Sequence, residues 1–370
     1  MGAMTKWALV FGLVALGCSS DDGSETKDPG PDKILSLGEG WNEIAPGGDT
    51  ICSKGTPFRF WVRKGSVNRV VVDFRGGGAC WNTLTCAVGD SLFQPEANPD
   101  DWMTNDTPEG IYDHARADNP FKDWHHVYIA YCTGDVHWGD AATMYGTGSA
   151  LETTINHRGA VNARAALSWV YENVRAPEKV FVTGCSAGGY GAALWAAHVR
   201  EHYQKAMTYL FADSAAGIIT DDFFQESFPA WNATASFPTS LGIDPATFTR
   251  LPQLYVAFGK TYPETFFSQF NTAYDETQHS YYGAMGGGDA AEWSGKMQDN
   301  LTEIETGAPS FRYYLAAGYQ HCVITRPELY DVEVGGKKLV QWLGEAVEDV
   351  PVQNASCLDS DCGAPAPPDP

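Results

Sequence analysis

Ser186 lies in the run Gly184-Cys-Ser-Ala-Gly-Gly189, which fits the G-x-S-x-G pattern of a nucleophilic serine on a sharp strand-to-helix turn. The residues around it supply that context. A β-rich run, Val180-Phe-Val-Thr183, leads straight into the motif, and an Ala-rich helical stretch leaves it. Flanking glycines let strand and helix approach closely, so the hydroxyl stands above the sheet at a helix N-terminus. There the amide of Ala187 can donate to an oxyanion. A second donor normally comes from a Gly-rich loop after an earlier strand, and Gly76-Gly77-Gly78 stands in that position.

A serine nucleophile needs a base and a carboxylate, in the chain order Ser, acid, His for this kind of fold. Beyond Ala212 there are two histidines, His279 and His321. His321, in Gly318-Tyr-Gln-His-Cys-Val-Ile324, follows a strand-like run, Phe311-Arg-Tyr-Tyr-Leu315, and precedes a C-terminal helix around 335–347, where a catalytic His loop belongs. His125, His126, His137 and His198 precede or flank the motif and read as structural or pocket residues. Two aspartates compete for the third role. Asp275, after the run Thr265-Phe-Phe-Ser-Gln-Phe270, is favoured because an acid after the penultimate strand is the usual position. Asp213, at the end of 207–212, reads otherwise as a hydrogen-bonded structural carboxylate. The chemistry expected is acyl transfer to water without a cofactor.

The elements that must position these residues follow from periodicity. Residues 58–63 and 69–75 are two β-rich runs joined by Lys64-Gly-Ser-Val-Asn68 and are expected to form a hairpin. Strands are expected at 127–131, 179–183 and 207–212, and helices at 159–174 and 188–203. Strand alternating with helix at this spacing predicts an α/β fold with a mostly parallel central sheet flanked by helices. Residues 218–252, rich in Phe, Pro, Asp and Thr, read as a helical or loop insertion beside the site. Residues 353–370 read as a disordered Pro-rich tail.

The chain has 370 residues, 44% apolar and 13% aromatic, enough for one large core running over about 34–352. With 46 acidic against 24 basic residues the formal charge is −22, which excludes a polyphosphate partner such as nucleic acid. Residues 1–17 read as a signal peptide: Lys6, then a short apolar run from Trp7 to Leu16. Cys18 directly after Gly17 resembles a bacterial lipobox, and residues 18–33 a polar tether. Together they predict a secreted protein, lipid-anchored at a bacterial outer membrane or cell surface, meeting the membrane only through that anchor. Without Cys18 eight cysteines remain, as an oxidising compartment would allow. Cys80/Cys86 and Cys357/Cys362 are close enough to close small loops; Cys52, Cys132, Cys185 and Cys322 must find distant partners or stay free. No CxxC or HExxH occurs, so no metal is expected. Oligomeric state is not legible.

Six ordered blocks resemble the motifs of pectin acetylesterases and the related Notum lipid-deacylases. They are Phe74-Arg-Gly-Gly-Gly-Ala-Cys-Trp81 with Cys86, Tyr131-Cys-Thr-Gly134 with Gly139-Asp140, the Ser186 motif, Ala212-Asp-Ser214, Tyr274-Asp-Glu-Thr-Gln278 and Gln320-His-Cys322. The resemblance implies an α/β-hydrolase fold, a Ser186, Asp275 and His321 triad, and an oxyanion hole of the Gly77, Gly78 and Ala187 amides. It also implies disulfides Cys52 to Cys132 and Cys80 to Cys86. The implied substrate is an acylated polysaccharide or small ester, with acetyl the expected acyl group and a Notum-like preference for longer chains the alternative; a non-catalytic carbohydrate-binding lipoprotein is the remaining class. Trp81 and Trp138, in or beside these blocks, are candidate sugar-stacking residues.

Overall fold

The computed structural model describes residues 1–2, 32–88, 91–98 and 107–365. The expected signal peptide, Cys18 and most of the tether lie outside the described residues. Among the described residues no helix is long and apolar enough to cross a membrane. The described residues from Asp32 onward fold as one unit.

Its centre is a nine-stranded sheet. The strands are β1 (Trp41–Ile44), β2 (Phe60–Arg63), β3 (Arg69–Phe74), β4 (His125–Ile129), β7 (Lys179–Cys185), β8 (Met207–Asp213), β9 (Phe266–Thr272), β10 (Phe311–Ala316) and β13 (Ala355–Ser356). A side hairpin, β5 (Ala141–Tyr145) with β6 (Thr153–His157), and a two-residue pair, β11 (Glu333–Val334) with β12 (Lys337–Lys338), stand apart from it. The spatial order is β1-β2-β4-β3-β7-β8-β9-β10-β13. Every pairing from β4 through β13 is parallel; β1, β2 and β4 meet antiparallel. Val70, Val71 and Val72 of β3 and Val180, Phe181 and Val182 of β7 are wholly buried, the unbroken apolar run of strands covered on both faces.

The helices are α1 (Thr83–Ala87), α2 (Gly159–Asn173), α3 (Ala187–His202), α4 (Asp221–Trp231), α5 (Leu251–Thr261), α6 (Glu276–Ala284), α7 (Ala290–Gly307) and α8 (Leu339–Val347). α3 carries few bulky side chains because it lies close to the sheet: a Cβ on its second residue, Gly188, would collide with the Phe74 carbonyl at the end of β3. This is an α/β-hydrolase arrangement, with α4 and the short turns before α5 inserted after β8.

Two expectations are corrected. The runs 58–63 and 69–75 are not a hairpin, because β4 lies between β2 and β3. Their link instead docks on the residue before Trp124, where Ser66 and Val67 donate to the Asp123 carbonyl at 2.8 and 3.2 Å. Local alternation reports which face of a strand is buried but not which strand lies beside it, and a short link can span a third strand. The segment expected as a disordered tail from 353 is ordered through residue 365. Its β13 pairs with the edge strand β10, and Cys357–Cys362 closes the loop after it. An open sheet edge offers ready main-chain partners, and a short disulfide loop loses little further entropy on ordering.

Candidate active site

β7 ends at Cys185 and α3 starts at Ala187, so Ser186 alone makes the turn, with φ 57° and ψ −127°. A non-glycine residue holds such a conformation only when its surroundings over-determine it. Here the Ser186 amide donates to the Asp213 carbonyl of the neighbouring strand at 2.9 Å, and the Ser186 carbonyl accepts from Gly189 at 2.8 Å. The position of Ser186 is thus set by main chain on both sides.

The Gly76–Gly78 loop leaves β3 next to it. Three successive carbonyls are tied back: Gly76 accepts from the Arg75 guanidinium at 3.0 Å, Gly77 from the Gln94 amide at 2.9 Å, and Gly78 from the Tyr131 hydroxyl at 2.8 Å. In a planar trans peptide the N–H points opposite to the carbonyl, so the amides of Gly77 and Gly78 face the other way. Both glycines line a cleft with Ser186. Gly78 has φ 72°, and a Cβ there would collide with the Leu92 carbonyl and the Tyr281 hydroxyl.

His321 lies in the loop after β10, and Asp275 caps the N-terminus of α6 after β9. His321 Nδ1 is 2.9 Å from both carboxylate oxygens of Asp275. Asp275 is wholly buried, and its oxygens also accept from the Gln278 amide and from Gln278 Nε2, each at 2.9 Å. The start of the loop is held by the Gly318 amide donating to the Cys362 carbonyl at 2.9 Å, which gives the ordered tail a place at the site. Asp213 does not reach the imidazole. Its carboxylate accepts the main-chain amides of Val323 and Ile324. His279 sits on α6 one turn after Asp275, its amide donating to the Asp275 carbonyl at 3.0 Å, and it lines neither cleft.

Ser186 and His321 line two clefts that meet between them. One holds about 830 Å³ of empty space, mouth included, and is walled by Trp138, Phe223, Phe228, Phe248, Leu251 and Trp293, with Gly78 and Ala187 at its rim. The other, about 970 Å³ with its mouth, is the more polar of the two, lined in comparable part by polar and apolar atoms, with Arg75, Glu109, Thr325 and Arg326. Trp138 therefore stands in the apolar wall, its indole N–H donating to the Tyr190 carbonyl at 2.8 Å. Trp81 lines neither cleft: it is buried with its ring edge-on to Phe223 at 5.0 Å, so it supports the wall from behind and does not meet a sugar. The reason is local, since the residue after Cys80 turns inward to fill the space beneath α4.

Among the described residues there are four disulfides: Cys52–Cys132, Cys80–Cys86, Cys185–Cys322 and Cys357–Cys362. Such bonds persist in oxidising compartments. The third joins the residue before Ser186 to the residue after His321. It brings Cys185, His321 and Cys322 together as three metal-type donors, but sulfurs bonded to each other are not thiolate ligands.

Sequence reasoning missed Gln278 and Trp293, placed the 218–252 insertion beside the site without naming Phe223, Phe228, Phe248 and Leu251 in it, and left open whether Cys185 and Cys322 bond. Gln278 had a readable signal, because Asp followed three residues later by Gln is a capping-box spacing at a helix start. Which side chains of the insertion form the wall had no such signal, since the wall is gathered from five separate segments.

Comparison with known proteins gives the family and the fold. A family profile described as pectinacetylesterase matches residues 45–229. Two solved structures of the Wnt deacylase Notum from Drosophila, in different crystal forms, share the fold with TM-scores of 0.63 and 0.62 at 16% identity. They cover 86% and 87% of this chain and 96% of each Notum chain. No curated protein sequence matches. The chain belongs to the pectinacetylesterase family of carboxylic ester hydrolases.

Proposed function

We propose that this protein is a serine carboxylesterase in which Ser186 attacks the ester carbonyl, His321 takes its proton, and Asp275 orients the imidazole and stabilises the imidazolium. The Asp275 contact at Nδ1 favours the tautomer with its proton there, which leaves Nε2 as the base. Catalysis needs that Nε2 within hydrogen-bond reach of Oγ, a contact that commonly tightens only when substrate binds. The tetrahedral oxyanion is held by the amides of Gly77, Gly78 and Ala187. Collapse expels the alcohol, protonated by His321, and leaves an acyl-enzyme. Water activated by the same His then hydrolyses it.

The observation that carries the substrate reading is the apolar cleft at Ser186. An acetyl methyl would leave most of that aromatic wall in contact with water, whereas an acyl chain of several carbons would cover it. We therefore assign the apolar cleft to an acyl group longer than acetyl and the polar cleft to the alcohol. A saccharide hydroxyl suits the latter. Acetyl on pectin or another polysaccharide is the second reading, favoured by the family match. The proposed setting is outside the cytoplasm, with Cys18 as a lipid anchor. Turnover of nitrophenyl esters from acetate to decanoate tests the acyl reading: a maximum at acetate would favour the second reading. Ser186→Ala tests the nucleophile, and retained turnover would end the proposal.

A further inference from the structure

Asp213 is a wholly buried carboxylate that the reaction scheme above does not use. It is the last residue of β8, in register with Cys185 on β7. Its main-chain carbonyl accepts the Ser186 amide at 2.9 Å. Its side chain faces the other catalytic loop: one oxygen accepts the amides of Val323 and Ile324 at 2.7 and 2.8 Å. The second oxygen accepts the Ser214 hydroxyl at 2.9 Å, and Ser214 Oγ in turn accepts the Cys322 amide at 3.0 Å. The three consecutive amides that follow His321 therefore all end on Asp213 and Ser214. Cys322 has φ 61°, and successive amides across such a bend form a concavity that binds an anion. Here a carboxylate of the protein fills it.

Resting on the assignment of Ser186 and His321 as nucleophile and base, we infer that Asp213 is the positioning residue that fixes the distance between them, its main chain holding the Ser186 turn and its side chain holding the His321 loop. It differs from Asp275 in kind. Asp275 touches the imidazole and sets its tautomer; Asp213 touches main chain and sets where the loop sits. Burial pushes the Asp213 carboxyl up to about 6 against the pull of its donors, which marks an acceptor kept in a place unfavourable to charge. A misplacement of about 1 Å can cost on the order of 10²-fold in rate.

The two roles separate on substitution by Asn. An amide oxygen can still accept the Val323 and Ile324 amides, whereas at a triad acid Asn stabilises the wrong tautomer. Asp213→Ala should lower kcat on the order of 10²-fold with KM changed less than about threefold, and slow fluorophosphonate labelling of Ser186 by a similar factor. Asp213→Asn should recover at least about a tenth of wild-type kcat, far above Asp275→Asn at roughly 10⁻⁴. Ser214→Ala, which removes only the Cys322 acceptor, should lower kcat about five- to tenfold with KM near wild type, and it carries the test if Asp213→Ala does not fold. Wild-type kcat in a folded Asp213→Ala or in Ser214→Ala, or an Asp213→Asn as impaired as Asp275→Asn, would overturn the inference. Ser186→Ala measured alongside separates the two failures: if it is inactive while Asp213→Ala is normal, only the positioning role falls.

Discussion

Nδ1 of His321 lies 2.9 Å from both oxygens of Asp275, and those oxygens take their other hydrogen bonds from the amide and side chain of a single residue, Gln278. The carboxylate is thereby held in one rotation, with the helix N-terminus of α6 behind it. Gln278 is itself fixed, since its Oε1 accepts the Ala216 amide at 2.8 Å and its Nε2 also donates to Asn271 at 3.1 Å.

Replacing that carboxylate tests the proposed catalytic role. Asp275→Asn should keep the fold and lower kcat on the order of 10⁴-fold, because the amide cannot accept from Nδ1–H while also keeping both Gln278 contacts. Steady-state kinetics beside a far-UV spectrum check it. Turnover within tenfold of wild type would reject Asp275 as the orienting acid.

The apolar cleft makes a graded prediction. Each methylene that enters it removes about 0.8 kcal/mol of apolar surface from water, so kcat/KM should rise roughly three- to fourfold per carbon beyond acetate until the cleft is filled. Ile219 also lines this cleft, and narrowing it with Ile219→Trp should move the optimum toward acetate. Flat kcat/KM from acetate to hexanoate in the wild type would show that the acyl group does not bind there.

The Cys185–Cys322 bond closes a loop with a sequence separation of 137 residues between the nucleophile and His loops. Replacing both cysteines by Ser should cost about 2–5 kcal/mol of stability, read as a lower urea midpoint at pH 7. Turnover should fall as well, because one of the two ties between these loops is lost. A double variant with unchanged midpoint and unchanged kcat would deny the bond any role.

Buried imidazoles predict acid sensitivity. Burial pushes His137 down to about 4 and His157 to about 3, while burial and the neighbouring charges of His126 and Arg63 push His114 to about 2. Each such His contributes stability that is complete above the unfolded value of about 6.5 and is lost as pH falls toward its folded value. Burial also pushes Asp135 and Asp213 up to about 6, and these act in the opposite sense: the stability they contribute is present below about 4 and lost as pH rises through 6. His157→Gln isolates one imidazole. Between pH 6 and 4 its stability should depend on pH less steeply than the wild type's by about 1.4 kcal/mol per unit, in urea unfolding at a series of pH values. Identical slopes would mean that His157 is protonated in the folded protein.

The sequence alone determined what is local. The G-x-S-x-G turn, the glycine loop and the strand-helix alternation are set within a few residues of each other. Their backbone requirements leave few side chains that fit, so they are readable without knowing what lies across the sheet. The order Ser186, Asp275, His321 was legible for the same reason, as the sequence of strand ends along the chain. Tertiary structure decided the rest. Asp213 ends a strand and Asp275 follows one, and only the side-by-side pairing of β8, β9 and β10 turns one toward main-chain amides and the other toward the imidazole. The apolar wall gathers Trp138, Phe223, Phe248, Leu251 and Trp293 from segments that share no periodicity, and Trp81, next to the glycine loop in sequence, lines neither cleft. Contacts of this kind depend on how elements pack over long separations, and a side chain's neighbours along the chain carry no information about that.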